Sequence, residues 1–413
     1  MSGMMTIRTL LHPLVLMGLC MATTATAARP DTLDIVVSNP LHRPRQGYPV
    51  STALPAGHTW LTATATCNGQ PVAVQLDDLD GDCRHDALAL LIDVPANGDA
   101  HVQVILSDTP QEHGTPAPRT RGYIKLHDEK GKHPEIKSIT YPGDANLLDM
   151  YNSIYGHGAV LENEHMAYRI YMDNRQSIDL YGKTHHQLEL DSTGFYTTPQ
   201  QLAQGYGCDV LWAGQSVGAG SFRGLRQGRP CYIDTVAYRR QTVLAEGPVR
   251  TIVEVTDIGW LYQGQRIDMT QRYTLYAGRR DMEVLVSLDG DTQGMTFCTG
   301  VQKLEEQNQG FVHADGLCAS WGSNVPDKAV SQQHEQVGLA VYPYCYGQKA
   351  VREDEHNYIV TLTPRHHQIG YRLATCAGRE EGGFRSAAAW FDFLRQWQEE
   401  LDKPCRTEVV RRP

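Results

Sequence analysis

The chain reads as all-β: a large antiparallel β-sandwich, preceded by a small β-domain and ending in a C-terminal helix. Three observations predict this. Apolar and polar residues alternate with period two along most of the chain, only two stretches carry helical signals, and one segment rich in proline and glycine separates a short front part from a long remainder. With 413 residues, 41% hydrophobic and 20% charged, the composition is that of an ordinary globular protein with a sizeable core.

In chain order, Arg8, the apolar run Leu10 to Met21 and Ala25-Thr26-Ala27 have the three-part pattern of a secretory signal, with cleavage expected after Ala27. The run is too short to span a bilayer, no later stretch is long enough to do so, and Leu19 before Cys20 does not fit a lipoprotein signal. The expectation is therefore a periplasmic or secreted protein with residues 1–27 removed. Residues 28–106 form the small β-sandwich domain, with strands at Leu33–Val37, Trp60–Ala65, Val72–Leu76 and Val102–Leu106. Residues 107–121, with Pro110, Gly114, Pro116 and Pro118, are the linker. Residues 122–413 form the large domain. Its alternation is clearest in Ala167–Met172, Ser177–Tyr181, Arg250–Asp257, Ile267–Tyr276 and Met282–Leu288. Thr198-Pro199-Gln200-Gln201 has the spacing of a capping box and should start a short helix. Ser386–Leu401 should form an amphipathic helix through Ala389, Phe393 and Trp397.

Lys and Arg total 37 against 47 acids, a net charge of -10, which argues against a nucleic-acid partner. An acidic sugar is compatible with that balance, because a single cation in a pocket can serve one carboxylate. Twenty Tyr against seven Phe favour rings with a polar tip, as sugar clefts use. Nine cysteines follow Cys20, an odd number, and Cys67 with Cys83 is the easiest local closure. His185-His186 and His366-His367 are adjacent pairs without zinc spacing. No phosphate-binding loop and no GxSxG elbow occurs, so neither a nucleotide cofactor nor serine-hydrolase chemistry is expected.

Two stretches hold chemistry. Asp78, Asp80, Asp82 and Asp86 alternate along a glycine-containing loop, as calcium ligands do, although Cys83 and Ala89 depart from the helix-loop-helix pattern. Residues 155–183 hold the second. If Ala167–Met172 pairs with Gln176–Tyr181, Ile170, Met172, Ile178 and Leu180 share one face, and His165, Arg169, Tyr171, Asp179, Tyr181 and Lys183 share the other. That mixture suits proton abstraction from a uronic-acid sugar. His157 and Tyr181 would be the acid and base, while Arg169 and Lys183 would neutralise the carboxylate. Tyr171, Asp179 and His165 would bind substrate, and Glu162 and Glu164 would be orienting or alternative catalytic acids. The two glutamates also keep a paired-carboxylate hydrolase open. A glycan-binding protein without catalysis and a sugar epimerase are further alternatives.

Four strings, QLDDLDGDCRHDAL (75–88), YGHGAVLENEHMAYRIYMDNRQSIDLYGK (155–183), QLAQGYGCDVL (201–211) and GPVRTIVEV (247–255), resemble an exported family of uncharacterised function from bacterial polysaccharide-utilisation clusters. That family is similar to the galactose-mutarotase-like β-supersandwich group. The resemblance implies a supersandwich fold, a carbohydrate ligand and a lyase-like activity on uronic-acid glycans. It carries over no catalytic residue. Cys83, where the family's Asp-rich loop is expected to have glycine, counts against metal there.

Overall fold

The computed structural model describes residues 31–110, 116–144, 146–326 and 334–412. The expected signal segment and Cys20 lie outside them, as does part of the expected linker. The architecture is an all-β sandwich of antiparallel sheets with few helices.

In the front part, strands Asp31–Ser38, Thr62–Cys67, Gln70–Val72 and Asp99–Ser107 belong to a five-stranded sheet that faces a three-stranded one. Asp31–Ser38 alternates strictly between buried and half-buried, which places Leu33, Ile35 and Val37 inside. The fifth strand is Arg406–Arg412, paired with Asp31–Ser38, so the chain's last strand returns to the front sheet.

The large part packs a nine-stranded sheet against a six-stranded and a five-stranded sheet, with one continuous apolar core between them. On the outer face of the nine-stranded sheet lies the helix Ala387–Asp402, capped by Ser386. Its buried residues are Ala387, Trp390, Leu394 and Trp397, whereas Ala389 is exposed, so the expected every-fourth-residue stripe is corrected. The buried stripe steps by three, four and three because 3.6 residues make a turn. Among the described residues, no helix is long and apolar enough to cross a membrane. All nine described cysteines are free, including Cys67, buried in the front core, and Cys83, exposed on the Asp-rich loop.

Candidate functional site

The six-stranded sheet supplies the site's floor. Met166–Tyr171 pairs with Ile178–Gly182 in the register Arg169↔Asp179 and Ala167↔Tyr181. The pleat sends Tyr168, Ile170, Met172, Ile178 and Leu180 into the core. Arg169, Tyr171 and Asp179 line a cavity of about 560 Å³ on the opposite face.

The neighbouring strand Ile154–Asn163 changes register against Thr120–Leu126 between Tyr155 and Val160. Within that irregularity His157 has φ +67°, a left-handed conformation that is uncommon for a non-glycine residue. Gly158 follows because a Cβ there would lie 1.9 Å from the Ile170 carbonyl oxygen. The irregularity brings the imidazole to the cavity wall, 3.7 Å from the Tyr151 ring in a parallel stack. Nδ1 donates to the Tyr151 carbonyl at 2.9 Å, which fixes the tautomer and leaves the Nε2 lone pair free in the neutral ring. Burial lowers the His157 pKa below its ordinary 6.5, partly opposed by that hydrogen bond and reinforced by Arg169. Neutral imidazole is therefore the resting form at pH 7.

Arg169 has little freedom. It donates to Asp179, to Asp209 at 3.2 Å and to the Tyr171 hydroxyl at 2.9 Å, and its guanidinium lies 4.4 Å from the Phe195 ring centre. Tyr171 donates to Asp179 at 3.0 Å, and burial, followed by that carboxylate, pushes its pKa well up, so it stays a neutral phenol. These three hold the floor rigid.

The rim is aromatic. Tyr196 and Trp212 are 47% and 50% exposed at the cavity edge. The helix Pro199–Ala203 borders the same side, with Thr198, Pro199 and Leu202 in the wall and the expected capping box formed between Thr198 and Gln201. Asp209, Glu335, Arg175 and Ser177 complete the polar lining.

The remaining sequence candidates lie outside the cavity. The excursion from Lys183 to Asp209 folds over the far end of the hairpin. It covers Tyr181, which packs with Tyr123, Leu190 and Phe195 and donates to Glu189 at 3.0 Å. Burial raises the Tyr181 pKa, so its phenol also keeps its proton. Lys183 and Glu162, both without exposed side-chain surface, pair at 2.5 Å, and Glu162 also accepts the amides of Glu189 and Leu190. Glu164 binds Arg119 and the Gly278 amide. His165 joins His186 on the buried carboxylate of Glu380. That trio has metal-binding residue types, but Arg280 already grips both Glu380 oxygens. Burial opposes ionisation there, and His165 and Arg280 together overcome it and hold the carboxyl at about 2. Glu380 is thus an ion-pair hub.

In the Asp-rich loop, oxygens of Asp78, Asp80 and Asp86 lie within 4.8 Å of one another. Asp82 is not part of that group, and it accepts the Arg84 amide. One buried Asp86 oxygen has no partner, a position that a cation would satisfy.

Sequence reasoning missed Tyr151, Ser177, Tyr196, Asp209, Trp212 and Glu335 as wall residues. The string 201–211 carried Asp209, and Tyr196 and Trp212 flank it; two large aromatics in a segment without strand alternation were the available signal.

Two solved structures resemble the chain at 10% identity. One is a protein in glycosyl hydrolase family 38 from Enterococcus faecalis, with a TM-score of 0.43, covering 92% of this chain and 47% of that one. The other is an alpha-mannosidase from Enterococcus faecalis, with a TM-score of 0.44, covering 92% and 46%. The chain thus spans just under half the length of each. No curated protein matches it. A family model described as a domain of unknown function, DUF4861, matches residues 37–407, and the chain belongs to that family.

Proposed function

We propose that the protein is an exported carbohydrate-active enzyme whose cavity binds an acidic oligosaccharide and cleaves it by elimination. The observation that carries this reading is His157: a neutral imidazole of fixed tautomer, held in a left-handed conformation on the wall of an aromatic-rimmed cavity. Nε2 would take the proton beside the sugar's carboxylate. The electrons of that C–H bond form a carbon–carbon double bond as the neighbouring carbon–oxygen bond breaks. The leaving oxygen takes a proton from Tyr151, whose pKa burial raises, so the phenol holds a proton to give. Tyr196 and Trp212 offer faces for sugar rings.

Hydrolysis is the second reading, and it rests on Asp209 and Glu335, two carboxylates on the wall. Elimination is favoured because both of these carboxylates are held by arginines, Asp209 by Arg169 and Glu335 by Arg379. A panel of uronic-acid oligosaccharides and polysaccharides tests the choice. Elimination yields products with the ultraviolet absorbance of a double bond conjugated to a carboxylate. New reducing ends without that absorbance would replace elimination by hydrolysis, and saturable binding without product would make the protein a glycan-binding module.

Calcium on Asp78, Asp80 and Asp86 is part of the same proposal, as a brace for the front sheets. Calcium should raise the melting temperature of the wild type and leave Asp78→Asn/Asp86→Asn unchanged; equal responses in the two proteins would remove the ion from the proposal.

A further inference from the structure

Arg223 is a buried cation that the fold leaves without a counter-charge. It is 1% exposed, and among the described residues it forms no ion pair. Its Nη1 donates to the Phe222 carbonyl and its Nη2 to Ser177 Oγ, both at 3.0 Å, and its guanidinium lies 5.5 Å from the centre of the Tyr232 ring. Other buried arginines are compensated. Arg169 meets Asp179 and Asp209, Arg239 meets Asp257, Arg250 meets Asp77, and Arg45 meets carbonyls at the C-terminal end of the helix Ala387–Asp402. Burial accordingly lowers the Arg223 pKa, the direction for a cation whose charge is poorly matched.

Ser177, which receives the Arg223 hydrogen bond, lines the cavity. Because its oxygen accepts from Arg223, its own hydrogen is free to point elsewhere, and among the described residues it has no acceptor. Two residues away, Arg175 also lines the cavity and is tied to Asp173. At this end of the wall two arginines therefore face one aspartate. The other wall carboxylates are engaged elsewhere: Asp179 and Asp209 by Arg169, Glu335 by Arg379. Arg169 faces two carboxylates and Arg379 one, so the cavity surroundings balance overall and the positive excess of one charge is local to the Ser177 end, where it can face one substrate carboxylate.

We propose that Ser177, backed by Arg223 and flanked by Arg175, is the subsite that receives the substrate's carboxylate, with the Ser177 hydroxyl as the direct donor and Arg223 as a positioning residue behind it. This rests on the saccharide reading of the cavity and makes its specificity explicit. It also reassigns the neutralising role from Arg169 and Lys183, whose charges are already matched by aspartates and by Glu162.

The test compares binding of uronate oligosaccharides with binding of the same oligosaccharides after reduction of their carboxyls to alcohols, by calorimetry. The wild type should prefer the acidic form by about ten- to a hundredfold, the range for hydrogen bonds to a charged group. Ser177→Ala and Arg223→Met should bind both forms with the affinity that the wild type shows for the reduced one. Saccharide binding with the acidic preference intact in both variants overturns the subsite and leaves the cavity reading standing. If no saccharide binds, the cavity reading falls, and acetate then probes the subsite by itself. Acetate should stabilise the wild type against heat and neither variant; an equal or absent response in all three overturns the subsite. Ser177→Ala keeps the test decisive if Arg223→Met does not fold.

Discussion

His157 holds a φ of +67° inside an extended segment, a conformation that costs on the order of 1–3 kcal/mol for a residue with a Cβ. Nothing in the core requires a histidine there, because the ring lies on the cavity side, against Tyr151. His157→Asn should therefore raise the melting temperature by relieving strain while lowering turnover by about 10²–10⁴, the usual share of a general base. The pH profile gives an independent check. A base works deprotonated, and burial lowers this pKa, so the rate should be flat around pH 7 and fall only below the ordinary histidine value of 6.5. A rate still climbing above pH 7 would point to another base. The pair Glu162–Lys183 behaves oppositely, since it is buried and remote from the cavity. Lys183→Met should cost about 3–5 kcal/mol in denaturant unfolding by leaving Glu162 unpaired, and Glu162→Gln/Lys183→Met should recover part of that loss. Arg169 and Asp179 could be assigned a shared face from the pleat alone. The burial of Tyr181 and Lys183 on that face could not, because what covers them is an excursion without periodicity.

The helix Pro199–Ala203 exists largely because of its cap. It has one and a half turns and no fully buried residue, too little to nucleate alone, while Thr198 and Gln201 satisfy each other's amides. Thr198→Ala should cost about 1 kcal/mol. Since Thr198, Pro199 and Leu202 form part of the wall, the loss should appear as a raised KM with little change in kcat. An unchanged KM would mean that this wall does not touch substrate. The capping box was readable because it needs only four consecutive residues. The C-terminal helix was readable in extent, but its buried stripe was displaced, because Phe393 belongs to an aromatic edge with Phe384 and Trp390 that only the fold assembles. The strand Arg406–Arg412 gave no signal. All seven residues are exposed and four are charged, so only its backbone, paired along Asp31–Ser38, makes it a strand.

That returning strand bears on how the whole molecule unfolds. The sequence predicts a linker at residues 107–121, yet the front sheets are joined to the large part by buried polar contacts. Gln75 donates to the Arg250 carbonyl and accepts the amides of Val249 and Arg250, and Asp77 binds the Arg250 guanidinium at 2.7 Å. Arg43 reaches Glu399 on the C-terminal helix, and Arg411 reaches Asp31. Opening the front sheets alone would strand Arg250, 4% exposed, and strip the edge of Asp31–Ser38, so the parts should unfold together. A single calorimetric transition is expected for the wild type. Arg250→Met leaves Asp77 buried without its cation, at a cost of about 3–5 kcal/mol borne mainly by the front sheets, and should split the trace into two transitions. No residue of the front sheets lines the cavity, so ligand should shift only the upper transition of that variant. Two transitions already present in the wild type, or a ligand shift of the lower one, would show that the polar seam does not couple the parts in this way.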